Sequence, residues 1–357
     1  MFGYGNNIRI QVFGQSHSEA IGITMDGFPA GVKVDEERLA AFMARRAPGR
    51  NAFSTARKES DKPEFVSGVC NGITTGAPIC AMIRNTNTRS SDYDKLQDIP
   101  RPSHADFAAF CKYGANRDHR GGGEFSGRLT APLCIAGFLC MEVLREKGIL
   151  IGAHIASVGT VRDDPFDPVC ISSEELLCAG AKSFPVLNDQ KGLAMQDLIL
   201  DAKKDADSVG GVVECAVIGM PAGRGDSSFG GIEGKLSLAL FGIPAVKGVE
   251  FGSGFAGSAL RGSQNNDPIR TDGNRIFTST NHAGGIMGGI SNGMPIVFRA
   301  AFKPTPSIGL PQESVSLSRM ENVSLQIEGR HDPCIVQRAV PVVEAVAAIA
   351  ILDILSE

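Results

Sequence analysis

Glycine punctuates this chain. Of 357 residues 43 are Gly, about 12 percent against a usual ~7 percent. Between the glycine-bearing turns lie short β-prone runs: IRIQVFG, EFVSGVC, PICAMIRN, GVVECAVIG, PIVFRAAF and NVSLQIEG. Strict βαβ alternation is missing, so the pattern predicts an α+β fold of antiparallel sheets with packed helices rather than a doubly wound parallel sheet. Two apolar stretches have helical character. TAPLCIAGFLCMEVLREK, Thr130 to Lys147, is closed by Gly148 as a C-cap, and AVPVVEAVAAIAILDIL runs from Ala339 to Leu355. Pro341, Glu344 and Asp353 interrupt the second, which reads as a buried C-terminal helix and not a membrane span. An echo between IGITMDGFPAG and NGITTGAPI is too short to establish a repeat.

No low-complexity segment, long charge run or Ser/Pro linker marks a boundary, so residues 1–357 are expected to form one domain. The formal net charge of -4 leaves no overall basic field for nucleic acid. Nine cysteines, an odd number with no CxxC pair, argue against a zinc ribbon or a disulfide framework. They read as mostly buried thiols in a reducing compartment. MFGYGNNIRIQVFG lacks the apolar core of a signal peptide, so a cytoplasmic protein is expected.

The chemistry is expected in the loops. RDHRGGGEFSGR, residues 117–128, crowds charges around three consecutive glycines, yet fits neither GxxxxGK[ST] nor GxGxxG. It leads into an apolar helix, and a glycine-rich helix start offers free backbone N–H groups to an anion. Upstream, RPSHAD sets His104 between Arg101 and Asp106. FGQSHSEAIG places Ser16 and His17 in a turn, ARRAPGRN supplies Arg45, Arg46 and Arg50, and EGRHDPC sets Arg330 beside His331 and Asp332. Arginine reads carboxylates and phosphates bidentately, so converging loops would make a cationic site with histidines as proton donors. Each loop also has a plainer reading, as a hydrogen-bonding turn or a solvated helix end. His119 and His154 are assigned to structure, and His282, in NHAGGIMGGISNG, stays open. No metal is expected, because no HxH, HExxH or Cys/His spacing occurs. A hydrolase built from Ser16, His104 and Asp332 would lack the GxSxG elbow.

Six spaced tracts resemble the chorismate synthase family over essentially the whole chain. They are FGQSHSEAIGITMDGFPAG, RPSHADFAAFCKYGANRDHRGGGEFSGR, GRHDPCIVQRAVPVVEA, NHAGGIMGGISNGMPIVFRAAFKPTPSI, VSGVCNGITTGAPICAMIRNT and IPAVKGVEFG. The resemblance implies a β-α-β sandwich of antiparallel sheets with helices packed between them, and a homotetramer. It implies a lyase that removes phosphate from 5-enolpyruvylshikimate 3-phosphate by 1,4-anti elimination. The reaction requires reduced FMN without net redox change. NADP is associated with the family, and the reduced flavin would come from a reductase outside this chain. By the same resemblance His17 would be the general acid at the leaving phosphate, and His104 would protonate or stabilise the reduced flavin. Asp332 would assist proton removal from the substrate ring. Ser16, Arg46, Arg50, Ser126, Arg128 and Arg330 would hold substrate. Ser126, Pro244, Ala245, Gly288, Lys303, Pro304, Thr305, Pro306, Ser307 and Arg330 would hold FMN.

The sequence departs from the family pattern in the glycine loop. Relatives commonly continue Arg-Ser-Ser-Ala-Arg-Glu-Thr, where this chain has Glu124, Phe125, Ser126, Gly127, Arg128, Leu129 and Thr130. A carboxylate beside a phosphate requires Arg120 or another cation to neutralise it, or a loop that turns it away. Gln15, Ser18, Ala47 and His119 also replace common family residues. The alternative implied by these changes is a flavin- or anion-binding relative without turnover.

Overall fold

The computed structural model describes residues 3–49, 61–85, 96–327 and 332–357. Two five-stranded antiparallel sheets enclose a layer of helices. The first sheet is built from β1 (Gly3–Tyr4), β2 (Arg9–Gly14), β3 (Ala20–Asp26), β4 (Glu64–Ser67) and β5 (Ile79–Arg84), in the order β1-β2-β3-β5-β4. The second contains β6 (Leu150–Val158), β7 (Val161–Arg162), β8 (Gly211–Ile218), β9 (Val246–Phe251) and β10 (Ile296–Phe302), in the order β9-β10-β8-β6-β7. Every pairing within both is antiparallel.

Between the sheets lie α3 (Thr130–Glu146) and α5 (Val336–Leu355), flanked by α1 (Glu36–Arg46) and α4 (Ile232–Phe241). The α3 helix packs on the first sheet and α5 on the second, and the two pack on each other. Seventeen of the twenty residues of α5 are buried, because the helix is apolar on every side and has protein on every side. The stretch Gly127–Glu146, which includes α3, is long and apolar enough to cross a membrane, yet most of it is buried inside the fold.

The charges that interrupt α5 are tied to distant elements. Glu344 accepts both terminal nitrogens of Arg45 on α1, at 2.7 and 2.8 Å, and the backbone N–H of Ala153 on β6 at 3.0 Å. Asp353 accepts the backbone N–H groups of Asn6, Asn7 and Ile8 at 3.0, 2.6 and 2.8 Å. These contacts satisfy carboxylates that would otherwise be costly to bury.

A row of charge runs across the second sheet on directly opposed residues. His154 on β6 faces Glu214 on β8, which faces Arg299 on β10, which faces Glu250 on β9. His154 Nε2 lies 3.0 Å from Glu214, and its Nδ1 3.1 Å from Asp163. Burial alone would push the imidazole pKa down; the two carboxylates more than offset it and hold the pKa above its ordinary value. The assignment of His154 to structure agrees with this placement.

All six β-prone runs contain strands, and both helical stretches are helices with the expected C-terminal glycine at 148 in the left-handed region, φ +75°. The cysteine expectation needs correcting. Only Cys134, Cys140, Cys215 and Cys334 are buried, while Cys70, Cys111, Cys170 and Cys178 are exposed and Cys80 is intermediate. Of the buried four, Cys134 and Cys140 lie on α3, Cys215 on β8 and Cys334 just before α5; of the exposed four, Cys70 lies on a short strand, Cys111 and Cys178 on outer helices and Cys170 in a loop.

Candidate active site

One end of the helix layer opens into a cavity of about 970 Å³. Its wall combines Arg46, Arg101, Arg128 and Lys303 with His104, Ser126 and Asp332, and an apolar side that includes Leu133, Phe302 and Val346. Pro244, Ala245, Thr305, Pro306 and Ser307 also line it. Loops far apart in the sequence therefore converge on one cationic pocket.

The glycine loop packs against the histidines. Gly121, Gly122 and Gly123 have φ of +61°, +96° and +55°, a left-handed run that other residues rarely adopt. A Cβ on Gly121 would stand 2.2 Å from the His17 ring and 2.7 Å from Ser16 Oγ. One on Gly122 would stand 3.1 Å from His104 Nε2. The loop is tied down where Gly123 O accepts the Ser16 N–H at 3.1 Å. The close approach demanded of these glycines is thus to Ser16, His17 and His104, which are almost entirely enclosed by protein.

His104 belongs to a compact ionic group. Its Nδ1 lies 2.6 Å from Asp106 Oδ1, and Arg101 grips both oxygens of Asp106, Nε to Oδ2 at 2.7 Å and Nη2 to Oδ1 at 2.9 Å. The other terminal nitrogen of Arg101 donates to Ser307 Oγ at 3.2 Å, joining RPSHAD to KPTPS. Burial, followed by the charges of Arg101 and Lys303, outweighs Asp106 and holds the His104 pKa below its ordinary value.

Arg46 and Arg128 share a single acid. Asp61 is buried and accepts a terminal nitrogen of Arg46 at 2.7 Å and one of Arg128 in a short bond. Although burial works against ionisation, the two guanidinium groups hold Asp61 below the usual carboxylate range. Arg46 is fixed further by Thr130 Oγ1 at 3.1 Å and Gly127 O at 3.0 Å, and Ser126 Oγ accepts the Arg128 N–H at 3.2 Å. Arg46 is therefore no solvated helix end. Asp332 pairs with Arg338, whose Nε donates to Arg46 O at 3.0 Å.

A family model for chorismate synthase matches residues 8–355. Chorismate synthase from Thermococcus gammatolerans is 46% identical, over 98% of this chain and 96% of its own. That of Lancefieldella parvula is 44% identical, over 99% and 95%. A crystal structure of chorismate synthase superposes with a TM-score of 0.77 at 30% identity, covering 98% of this chain and 92% of the other. The chain belongs to the chorismate synthase family. It is a lyase of the shikimate pathway and aromatic amino acid biosynthesis, with a small-molecule substrate and a flavin cofactor.

The cavity suits a flavin. Its volume is in the range of ligand sites, and apolar side chains face cations across it. Thr305 Oγ1 on its wall is buried and has no hydrogen-bond partner among the described residues, which suits a ligand polar group. Lys303 Nζ donates to Ser103 O at 2.9 Å, which holds KPTPS against the His104 turn.

Other positions implied by the chorismate synthase resemblance fall elsewhere. Gly288 lies in the turn between Ile286–Met287 and Ile290–Ser291, and neither it nor Pro304 is on the cavity wall. Arg50 and Arg330 lie outside the described residues. His282 is held by Ser253 Oγ at 2.8 Å, away from the wall. Asp61, Thr130 and Arg338 went unnoticed in the sequence. Glu124 lines the cavity, and the described residues offer it no ion pair or hydrogen bond; Arg120 is held by Asp118 at 2.8 Å. Arg120 does not neutralise Glu124, and the loop does not turn it away.

Proposed function

We propose that this cavity binds 5-enolpyruvylshikimate 3-phosphate together with reduced FMN and eliminates phosphate to give chorismate. The observation that carries this reading is the convergence of Arg46, Arg101, Arg128, Lys303 and His104 on one pocket, with His17 packed behind Gly121 of its wall. The substrate has a phosphate and two carboxylates, and a cationic wall stabilises charge gathering on the departing phosphate.

Arg46, Arg128 and Ser126 hold the substrate anions, with Ser16 and His17 behind Gly121. His17 donates the proton that leaves with phosphate, and Asp332 assists removal of the ring proton. Loss of the ring proton leaves its electron pair in the ring, where it forms one double bond while the existing one shifts to the carbon that loses phosphate, and the pair of the carbon–oxygen bond departs with the phosphate. Pro244, Ala245, Lys303, Thr305, Pro306 and Ser307 hold FMN; Arg50, Arg330, Pro304 and Gly288 complete the binding set proposed from the family resemblance. When bound, reduced FMN lends electron density transiently and recovers it, so no net redox change results. Reduced flavin comes from an external reductase, NADP being the associated nicotinamide. The chain acts as one domain in a cytoplasmic homotetramer, with no nucleic-acid or membrane partner.

Anaerobic turnover with dithionite-reduced FMN tests the assignment, following chorismate absorbance and phosphate release together. Equal yields are expected; folded, flavin-saturated protein that forms neither product would overturn it in favour of a binding relative without turnover. His17→Ala is expected to lower kcat by roughly 10- to 10,000-fold in a folded protein, the range for a general acid.

A further inference from the structure

The charged groups facing His104 are Asp106, Arg101 and Lys303. A ring nitrogen 2.6 Å from a carboxylate oxygen requires a proton between them, since two lone pairs at that distance repel. Arg101 donates to Asp106 from Nε, Nη2 and its backbone N–H, the last at 3.0 Å, so the carboxylate is ionised and the proton is on the ring. The Arg101 Nη2 contact to Nδ1, at 3.2 Å, is the longer one and concedes Nδ1 to Asp106. Ser103, immediately before the histidine, has φ +58°, backbone strain of the kind that fixed functional turns retain. At the other edge of the ring, Nε2 faces Gly122 and has no hydrogen-bond partner among the described residues.

We propose that Asp106 is a positioning residue for His104: clamped from behind by Arg101, it keeps the ring proton on Nδ1 and leaves Nε2 bare, so the histidine begins the cycle as a proton acceptor. The family reading makes His104 a donor to the reduced cofactor. Here it must first take up a proton at Nε2, and the arrival of anionic ligands beside Arg101 and Lys303 favours that uptake by offsetting their charge. This rests on the proposed function for its place in the reaction; the proton position in the ligand-free protein does not.

The test is nitrogen-15 NMR of the full-length, ligand-free protein labelled at histidine, near neutral pH, with the His104 signals identified by their loss in His104→Gln. Protonated Nδ1 with unprotonated Nε2 is expected. In Asp106→Asn the amide oxygen is held by Arg101 and the amide N–H₂ faces Nδ1, so the proton is expected to move to Nε2. A carboxylate-to-amide change beside a catalytic histidine costs about 10⁴-fold in a serine protease by the same tautomer error. Here kcat is expected to fall on the order of 100-fold or more with KM little changed, and Asp106→Glu to restore part of it. A wild-type His104 carrying its proton on Nε2, or charged, would overturn the proposal even if Asp106→Asn fails to fold. So would an Asp106→Asn protein with unchanged tautomer and pH profile. The expected tautomer in a protein that forms no chorismate would instead count against the proposed function alone.

Discussion

Two of the places where the molecule buries charge balance it differently. Across the second sheet, His154 and Arg299 are set among Asp163, Glu214 and Glu250, so each cation faces carboxylates and the group is closed on itself. At the cavity, Arg46 and Arg128 share Asp61, Arg101 uses Asp106, and among the described residues Lys303 bonds only a backbone oxygen. Acid there orients the cations without cancelling them. A buried ionic cluster that sums to near neutrality or below serves the fold; one left positive on the wall of a cavity is arranged for an anion from outside.

Removing one arginine from each place sharpens the contrast. Arg128→Ala is expected to lower kcat/KM by about 1,000-fold, the cost of truncating a desolvated charged contact. Its melting temperature should fall modestly, since Asp61 keeps Arg46. Unchanged kinetics with a collapsed melting temperature would erase the distinction. His154→Gln should cost about 3 kcal/mol of stability with no change in ligand affinity. Its pH dependence follows from the raised imidazole pKa. The contribution of the charged ring is fully present below the unfolded value of about 6.5 and is lost as pH rises through the higher folded value. The gap between wild type and variant in denaturant titrations should therefore be widest near pH 6 and narrow as pH increases. Arg299→Ala should cost about 2 kcal/mol, less than a fully enclosed pair because part of its side chain reaches solvent. The smallest effect belongs to Glu124→Gln. Removing an unpaired carboxylate from the cavity should tighten FMN binding roughly threefold in fluorescence titrations, within the range of a solvent-screened charge.

Much of the site was legible because the chemistry sits in short tracts: RPSHAD contains the whole Arg101–His104–Asp106 group, and KPTPS supplies its partner Ser307. Asp61 was not legible, because nothing beside it in the chain marks it. Its partners are 15 and 67 residues away and meet it only when α1 and the start of α3 are packed. The glycine loop reads in the sequence as backbone N–H groups offered to an anion, and the neighbours found at Gly121 and Gly122 are histidine rings. Among the strands, β6 was missed because Gly152 and His154 interrupt its apolar run; the histidine is satisfied by carboxylates 9 and 60 residues away. No local pattern encodes a partner that distant.

The placement of α5 governs the order in which this protein can be made. The helix at the centre of the sandwich follows every strand of both sheets along the chain, and its Asp353 receives the amides of residues 6, 7 and 8, which lie 347, 346 and 345 residues before it. Until α5 has been made, the second sheet lacks the apolar surface that its inner face packs against. The nascent chain must therefore keep that face uncovered until the twenty-residue helix arrives, a state prone to sticking.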